Sequence, residues 1–137
     1  MTIELLDSDT MTLQLCQGDS GYLHLRYPFA ATFLTGRTVY FAFTDEKHKI
    51  IGEEIAASFV QSPVYEGVSY AKFFIPTTLT NQLKVNKNDN SQVYYWSMKM
   101  CYTDSNNNVI ENTLTLKNTG LKFAPVVVLP KCVEGAA

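Results

Sequence analysis

Residues 92–104 read QVYYWSMKMCYTD. Tyr94, Trp96, Met98, Met100 and Tyr102 fall on every second position, with Ser97 and Lys99 between them. A repeat of two marks a strand with one buried face, whereas a helix would space its apolar residues three and four apart. The same alternation continues outward from this segment in both directions. MTLQL (11–15) places Met11, Leu13 and Leu15 on one side. YLHLRYPF (22–29) turns Leu23, Leu25 and Tyr27 inward, with His24 and Arg26 outward. TVYFAFTD (38–45) offers Val39, Phe41 and Phe43, and VSYAKFFIP (68–76) offers Ala71, Phe73 and Ile75. NVIENTLTLKN (108–118) and GLKFAPVVV (120–128) complete the series.

The breaks between these runs are turn-like: GDSG, LTGRT, TDEKHK, SPVYEG and TDSNNN. Asn and Gly tolerate the left-handed conformations that tight turns need, so TDSNNN reads as a hairpin. KVNKNDNSQ (84–92) is polar enough for an exposed loop. Only IPTTLTNQLK (75–84) looks helical, with Thr77 or Thr78 as cap and Leu79 and Leu83 on one face. These elements predict an all-β fold: an immunoglobulin-like antiparallel β-sandwich of about seven to nine strands with one short helical crossover. The sole Trp lies on a long central strand, but the paired cysteines of antibody domains are absent.

A chain of 137 residues is one domain by size. Such a chain buries roughly 68% of its unfolded surface, enough for one core without a metal or disulfide staple. Residues 1–9 are a candidate N-terminal arm that either pairs within its own sheet or reaches another subunit; the second is favoured because TIELL is apolar and precedes an acidic turn, and 130–137 reads as a C-terminal tail. The net charge of −2, with scattered Lys and Arg, gives no footprint for nucleic acid or anionic lipid. MTIELLDSDTMTLQL lacks the basic and apolar regions of a signal peptide, and APVVVLP is too short to span a bilayer. Cys16, Cys101 and Cys132 show no CxxC spacing. They leave room for one disulfide, but free thiols in a reducing compartment are the expectation. The chain should be soluble, and cytosolic when made.

GDSG (18–21) matches the letters around the nucleophile of trypsin-like proteases. A triad needs a histidine within hydrogen-bond reach. His24 lies four residues along a strand that starts at Ser20, about 13 Å away, and His48 sits in a charged turn with nothing to orient it. Gly18, Asp19, Ser20 and Gly21 are therefore expected to form a structural turn, and no residue is assigned a catalytic role. Two histidines and three cysteines match no metal-ligand spacing, and Asp45, Glu46, Glu53 and Glu54 read as a solvated loop. No GxGxxG or P-loop occurs, so no cofactor is expected. The Asn-rich turn 105–108 with Tyr40, Tyr70 and Tyr95 is a candidate sugar platform; its plainer reading is tyrosines covering a sheet's outer face. Phe74, Tyr95 and the run Val126, Val127 and Val128 supply apolar groups beyond what one buried face can hold, and form a candidate protein interface.

The order of these pieces resembles the N-terminal domain of phage baseplate upper proteins and related small immunoglobulin-like proteins of tailed-phage virions. The resemblance runs over residues 10–129: a strand into G-D-[ST], LTGRTVYFAFTD, FFIPTTLTNQL, VYYWSMKMCYTD, VIENTLTL and TGLKFAPVVV. Gly18 and Asp19 match its first turn, Gly36 the next, and Tyr95 and Trp96 its aromatic strand. The resemblance implies a non-enzymatic structural or adaptor protein in the capsid, tail or baseplate. Its partners would be other virion proteins and further copies of itself, and it would reside in the virion, or in host cytoplasm during assembly. Baseplate upper proteins continue into a helical, fibre-binding region, whereas this chain stops at LPKCVEGAA, which favours a free-standing decoration, adaptor or attachment protein. The alternative is a carbohydrate-binding module that recognises a host surface glycan.

Overall fold

The computed structural model describes residues 5–7, 10–30, 34–86, 88–116 and 120–130, with backbone alone at 5–7 and 26–28. Within them lie ten strands and one single-turn helix. These are β1 (Leu5–Asp7), β2 (Thr12–Cys16), β3 (Gly21–Ala30), β4 (Arg37–Thr44), β5 (Ile50–Ala56), β6 (Ser58–Gln61) and β7 (Val68–Ile75), then α1 (Thr77–Thr80), β8 (Gln92–Thr103), β9 (Val109–Thr113) and β10 (Ala124–Leu129). The seven runs that alternate in the sequence all appear. β1, β5 and β6 add to them: β5 breaks the period of two with a bulge, and β1 and β6 are too short to display it.

β8 is the spine. Along one edge its first half pairs with β10 and its second half with β9; along the other, Tyr95–Tyr102 pairs with β4. The large sheet therefore runs β1-β2-β10-β8-β4-β5, with β9 alongside β8, and faces a three-stranded sheet ordered β3-β7-β6. This is the immunoglobulin-like arrangement: β3, β7 and β6 stand as strands B, E and D, opposite β4, β8 and β10 as C, F and G. The pairing of β2 with β10 is parallel, from Val126↔Leu13 to Leu129↔Cys16, and so departs from an all-antiparallel sandwich. The N-terminal strand there covers an edge of β10 that would otherwise be left open.

The inner faces supply the core. Phe41 lies at its centre, edge-on to Phe43 at 4.9 Å, stacked on Trp96 at 5.5 Å, and tilted against Phe73 of the other sheet at 5.4 Å. Each such pair adds about 0.5–1.5 kcal/mol beyond its buried area. Tyr94 Oη donates to the Lys84 carbonyl at 2.5 Å. That bond forms a tyrosine corner, which ties the start of strand F to the backbone before it. Two residues on, where antibody domains carry a cysteine, this chain has Trp96. Burial lifts the Tyr94 phenol above its ordinary value.

Several expectations are revised. Pro76, not Thr77 or Thr78, precedes α1, and no side chain caps it; the Pro76 carbonyl accepts from the Leu79 and Thr80 amides. Leu79 and Leu83 are buried as their spacing suggests. Of the proposed arm, Leu5–Asp7 pairs antiparallel with β2 of the same chain, in the register Leu5↔Leu13 and Asp7↔Thr12; the remainder of 1–9 lies outside the described residues. So do 131–137 of the tail and the Tyr27 side chain. Cys16 is disulfide-bonded and Cys101 is a free thiol, while Cys132 lies outside the described residues. The expectation of free thiols therefore fails at Cys16, which ends β2 level with Leu129 of β10, and holds at Cys101.

The bulge in β5 centres on Gly52, whose φ of +70° is left-handed. A Cβ there would meet Leu79 Cδ1 at 2.6 Å, so the bulge sits where the segment of α1 leaves no room for a side chain. Gly52→Ala should lower stability by about 1–3 kcal/mol, since backbone strain adds to the displacement of a buried leucine. Denaturant midpoints of the two proteins measure it.

Candidate functional site

GDSG is a corner between β2 and β3. The Asp19 amide donates to the Cys16 carbonyl at 3.0 Å, closing a turn in which Gly18 takes φ +88°. The Asp19 carboxylate accepts the Cys16 amide at 2.9 Å, and the Asp19 carbonyl accepts the buried Thr80 hydroxyl. The corner is thus docked on α1 from the far side of the chain. Gly18 and Asp19 belong to this turn, Ser20 follows it, and Gly21 already opens β3.

The outer face of the three-stranded sheet is aromatic and exposed. Tyr22 on β3 stands directly opposite Phe74 on β7, with ring centroids 5.1 Å apart. Both are large and accessible, at 42% and 48%; Val60 on β6, exposed at 46%, lies farther along the same face opposite Tyr70, beyond the His24–Lys72 pair. Lys72 Nζ lies 4.2 Å from the Tyr22 ring, and His24 meets its edge at 6.4 Å. A groove of about 200 Å³ lies around Val60, lined by His24, Pro63 and Tyr70 among others. At its end Ser62 Oγ accepts the Val64 and Tyr65 amides, so this loop holds two further exposed apolar side chains in place.

The outer face of the large sheet is polar and partly roofed. Lys99 on β8 bridges Glu54 of β5 at 2.8 Å and Glu111 of β9 at 3.1 Å. The Glu54 carboxylate, with help from Glu111, raises the Lys99 ammonium above its ordinary value, although burial opposes it. Next to this bridge the β4–β5 turn folds back over the sheet. Asp45 Oδ1 accepts the Lys47 and Lys49 amides at 2.8 and 3.0 Å, and the Lys49 bond leads in holding its carboxyl below the usual range. His48 then adopts φ +63° and stacks on Phe123, with centroids 3.8 Å apart and planes within 4°. Its edge meets Tyr95 at 5.7 Å. His48 is thus oriented after all, which sequence spacing did not reveal.

Beneath this roof lies a cleft of about 130 Å³, bordered by Tyr40, Ala42, Thr44, Glu54, Ser97, Lys99, Thr113 and Phe123 among others. Thr44 points to the outer face yet is 1% exposed, and its hydroxyl has no hydrogen-bond partner. A buried unpaired hydroxyl costs roughly 1–3 kcal/mol, so the position is unusual in a surface cleft. Thr44, His48 and Phe123 escape sequence reasoning because a turn with a left-handed His, and not any spacing, brings them together.

The five candidate interface residues separate. Phe74 is exposed, and Tyr95 is half-buried on the other sheet beside His48. Val126 and Val128 belong to the core, because β10 lies between β2 and β8 with that face inward; only Val127 of the three points outward, half-buried. The sugar platform also divides. Tyr70 belongs to the small sheet, Tyr40 and Tyr95 to the large one, and residues 105–108 form the β8–β9 hairpin. There Asp104 Oδ1 accepts the Asn106 and Asn108 amides, and Asn107 takes φ +65°. Among the described residues no three His, Cys, Asp or Glu side chains are grouped to hold a metal ion, and no helix is long and apolar enough to cross a membrane.

No protein-family description matches the chain, and no curated protein matches it. Cys101 provides a chemical check on the outer face. Burial raises its thiol above the ordinary value, against the pull of Lys99. Iodoacetamide should therefore modify Cys101 more slowly than a free cysteine at neutral pH, with the rate climbing as pH passes the ordinary thiol range. Cys16 should react only after reduction, and peptide mapping distinguishes the two.

Proposed function

We propose that this chain is a non-enzymatic assembly domain of a tailed-phage or prophage particle, held there by contacts with other virion proteins and with copies of itself. The Tyr22–Phe74 face carries the proposal. Aromatic residues are enriched at protein interfaces, where each buries a large area for little lost side-chain freedom. Here two lie side by side on the outer face of the sheet, next to Lys72 and His24, with Val60 farther along opposite Tyr70. Exposed aromatic surface of this kind marks a binding site more often than a solvated face does. The groove and the Ser62-tied loop extend the surface in one direction.

Two further observations support the same function. The immunoglobulin-like order of strands agrees with the resemblance to baseplate and virion domains, a class that works by presenting surfaces. The disulfide at Cys16 suits a protein whose working life is outside the reducing cytoplasm, as in a released particle. The proposal calls for no cofactor, nucleic acid or membrane.

The test is a pair of substitutions on the exposed face, Tyr22→Ser with Phe74→Ser. Both side chains point away from the core, so thermal stability should change little. Self-association by sedimentation velocity, or incorporation into purified particles, should fall at least about tenfold, as expected when central aromatic contacts are removed. A wild-type protein that stays monomeric and is absent from particles overturns the proposal, as does a double variant that assembles normally.

A further inference from the structure

We infer that the cleft over Thr44 binds a neutral, hydroxyl-rich ligand, with the edge of a sugar ring as its natural occupant. The site lies on the opposite sheet from the proposed assembly face and does not depend on it. Thr44 lines the cleft, a residue 1% exposed whose buried hydroxyl makes no hydrogen bond among the described residues. Ser97 and Thr113, both on the outer face, add two more hydroxyls around the same space. Hydroxyls donate and accept alike, so three of them match a ligand that also does both.

Charge narrows the class. Lys99 is flanked by Glu54 and Glu111, which leaves one uncompensated negative charge beside the cleft. An anionic ligand would meet that charge, so a neutral one is favoured. The walls complete the match. Tyr40 and the His48-stacked Phe123 present aromatic carbon, against which the C–H face of a sugar ring packs. The volume of about 130 Å³ equals that of roughly four liquid waters, enough for a ring edge with the remainder in solvent. The His48–Phe123 stack and the Lys99 bridge build this shape before any ligand arrives, which lowers the ordering cost of binding.

The experiment is a titration of the intact protein with neutral monosaccharides: glucose, galactose, mannose and N-acetylglucosamine, with sialic acid as the anionic comparison. Amide chemical shifts provide the readout. At least one neutral sugar should shift the signals of Thr44, Ser97 and Thr113 with a dissociation constant on the order of millimolar, and sialic acid should bind more weakly. Thr44→Val keeps the shape and removes the hydroxyl; it should weaken that binding about tenfold, the equivalent of one neutral hydrogen bond. Ser97→Ala should weaken it too, and serves as the second variant if Thr44→Val folds poorly. The inference is overturned if no neutral sugar shifts these signals at tens of millimolar, order of magnitude, if sialic acid binds best, or if both variants bind like the parent. Occupation of the cleft by water alone, or by a second copy of the chain, would give the first of these results.

Discussion

A single buried hydrogen bond organises the sandwich. Trp96 is fully buried, and its indole Nε1 donates to the Met11 carbonyl at 2.8 Å across 85 positions of sequence. Without an acceptor that N–H would cost roughly 1–3 kcal/mol, so the fold must bring a carbonyl to it. It does so by holding Met11 at φ +58°, a left-handed conformation that costs about as much for a residue with a side chain. The strain persists because Met11 is itself buried and because β2 leads directly from it into the sheet. From this bond follow the position of β2, its alignment with β10, and the placing of Leu13 and Leu15 against the core. On its other side Trp96 stacks on Phe41, and Phe41 reaches Phe73 in the opposite sheet. One indole thus joins the chain's beginning to both layers.

The two outer faces differ because the sandwich leaves them different neighbours. Nothing among the described residues folds over the centre of β3-β7-β6, so Tyr22 and Phe74 remain in the open. On the large sheet the β4–β5 turn and the segment leading into β10 close over β4 from two sides. That closure buries Ala42 and Thr44 on a face where exposure would be normal. An open aromatic surface suits a broad protein contact, and a roofed polar cleft suits a small ligand. The core separates the two faces, so one scaffold can accommodate both proposed roles.

Much of this fold was legible in the sequence because a half-buried strand writes itself as alternation. Trp96, Met98 and Met100 are buried as their spacing indicates, as are Val39, Phe41 and Phe43. The method fails where both neighbours are apolar. Val126, Val127 and Val128 carry no alternation, and which of them faces inward depends on the alignment with Leu13 and Tyr94. It fails again at β5, where Gly52 introduces a bulge and shifts the pattern. The Tyr22–Phe74 face was half-visible, since Phe74 stands out beside Phe73 while its partner lies far away in sequence. The Thr44 cleft was not visible at all. It depends on the backbone conformation of His48 and on a stacking contact 75 residues away, neither of which composition or spacing encodes.

The parallel pairing of β2 with β10 also determines how the domain bears a pulling force. The two strands lie side by side and run the same way, so tension applied to the chain before β2 and after β10 draws them in opposite directions along their length. Their hydrogen bonds are then loaded in shear and share the force, whereas a hairpin peeled from its end would lose them one at a time. Resistance of this kind is governed by the rate of unfolding and not by equilibrium stability. A domain built this way can transmit load between the segments on either side of it while its two outer faces stay intact.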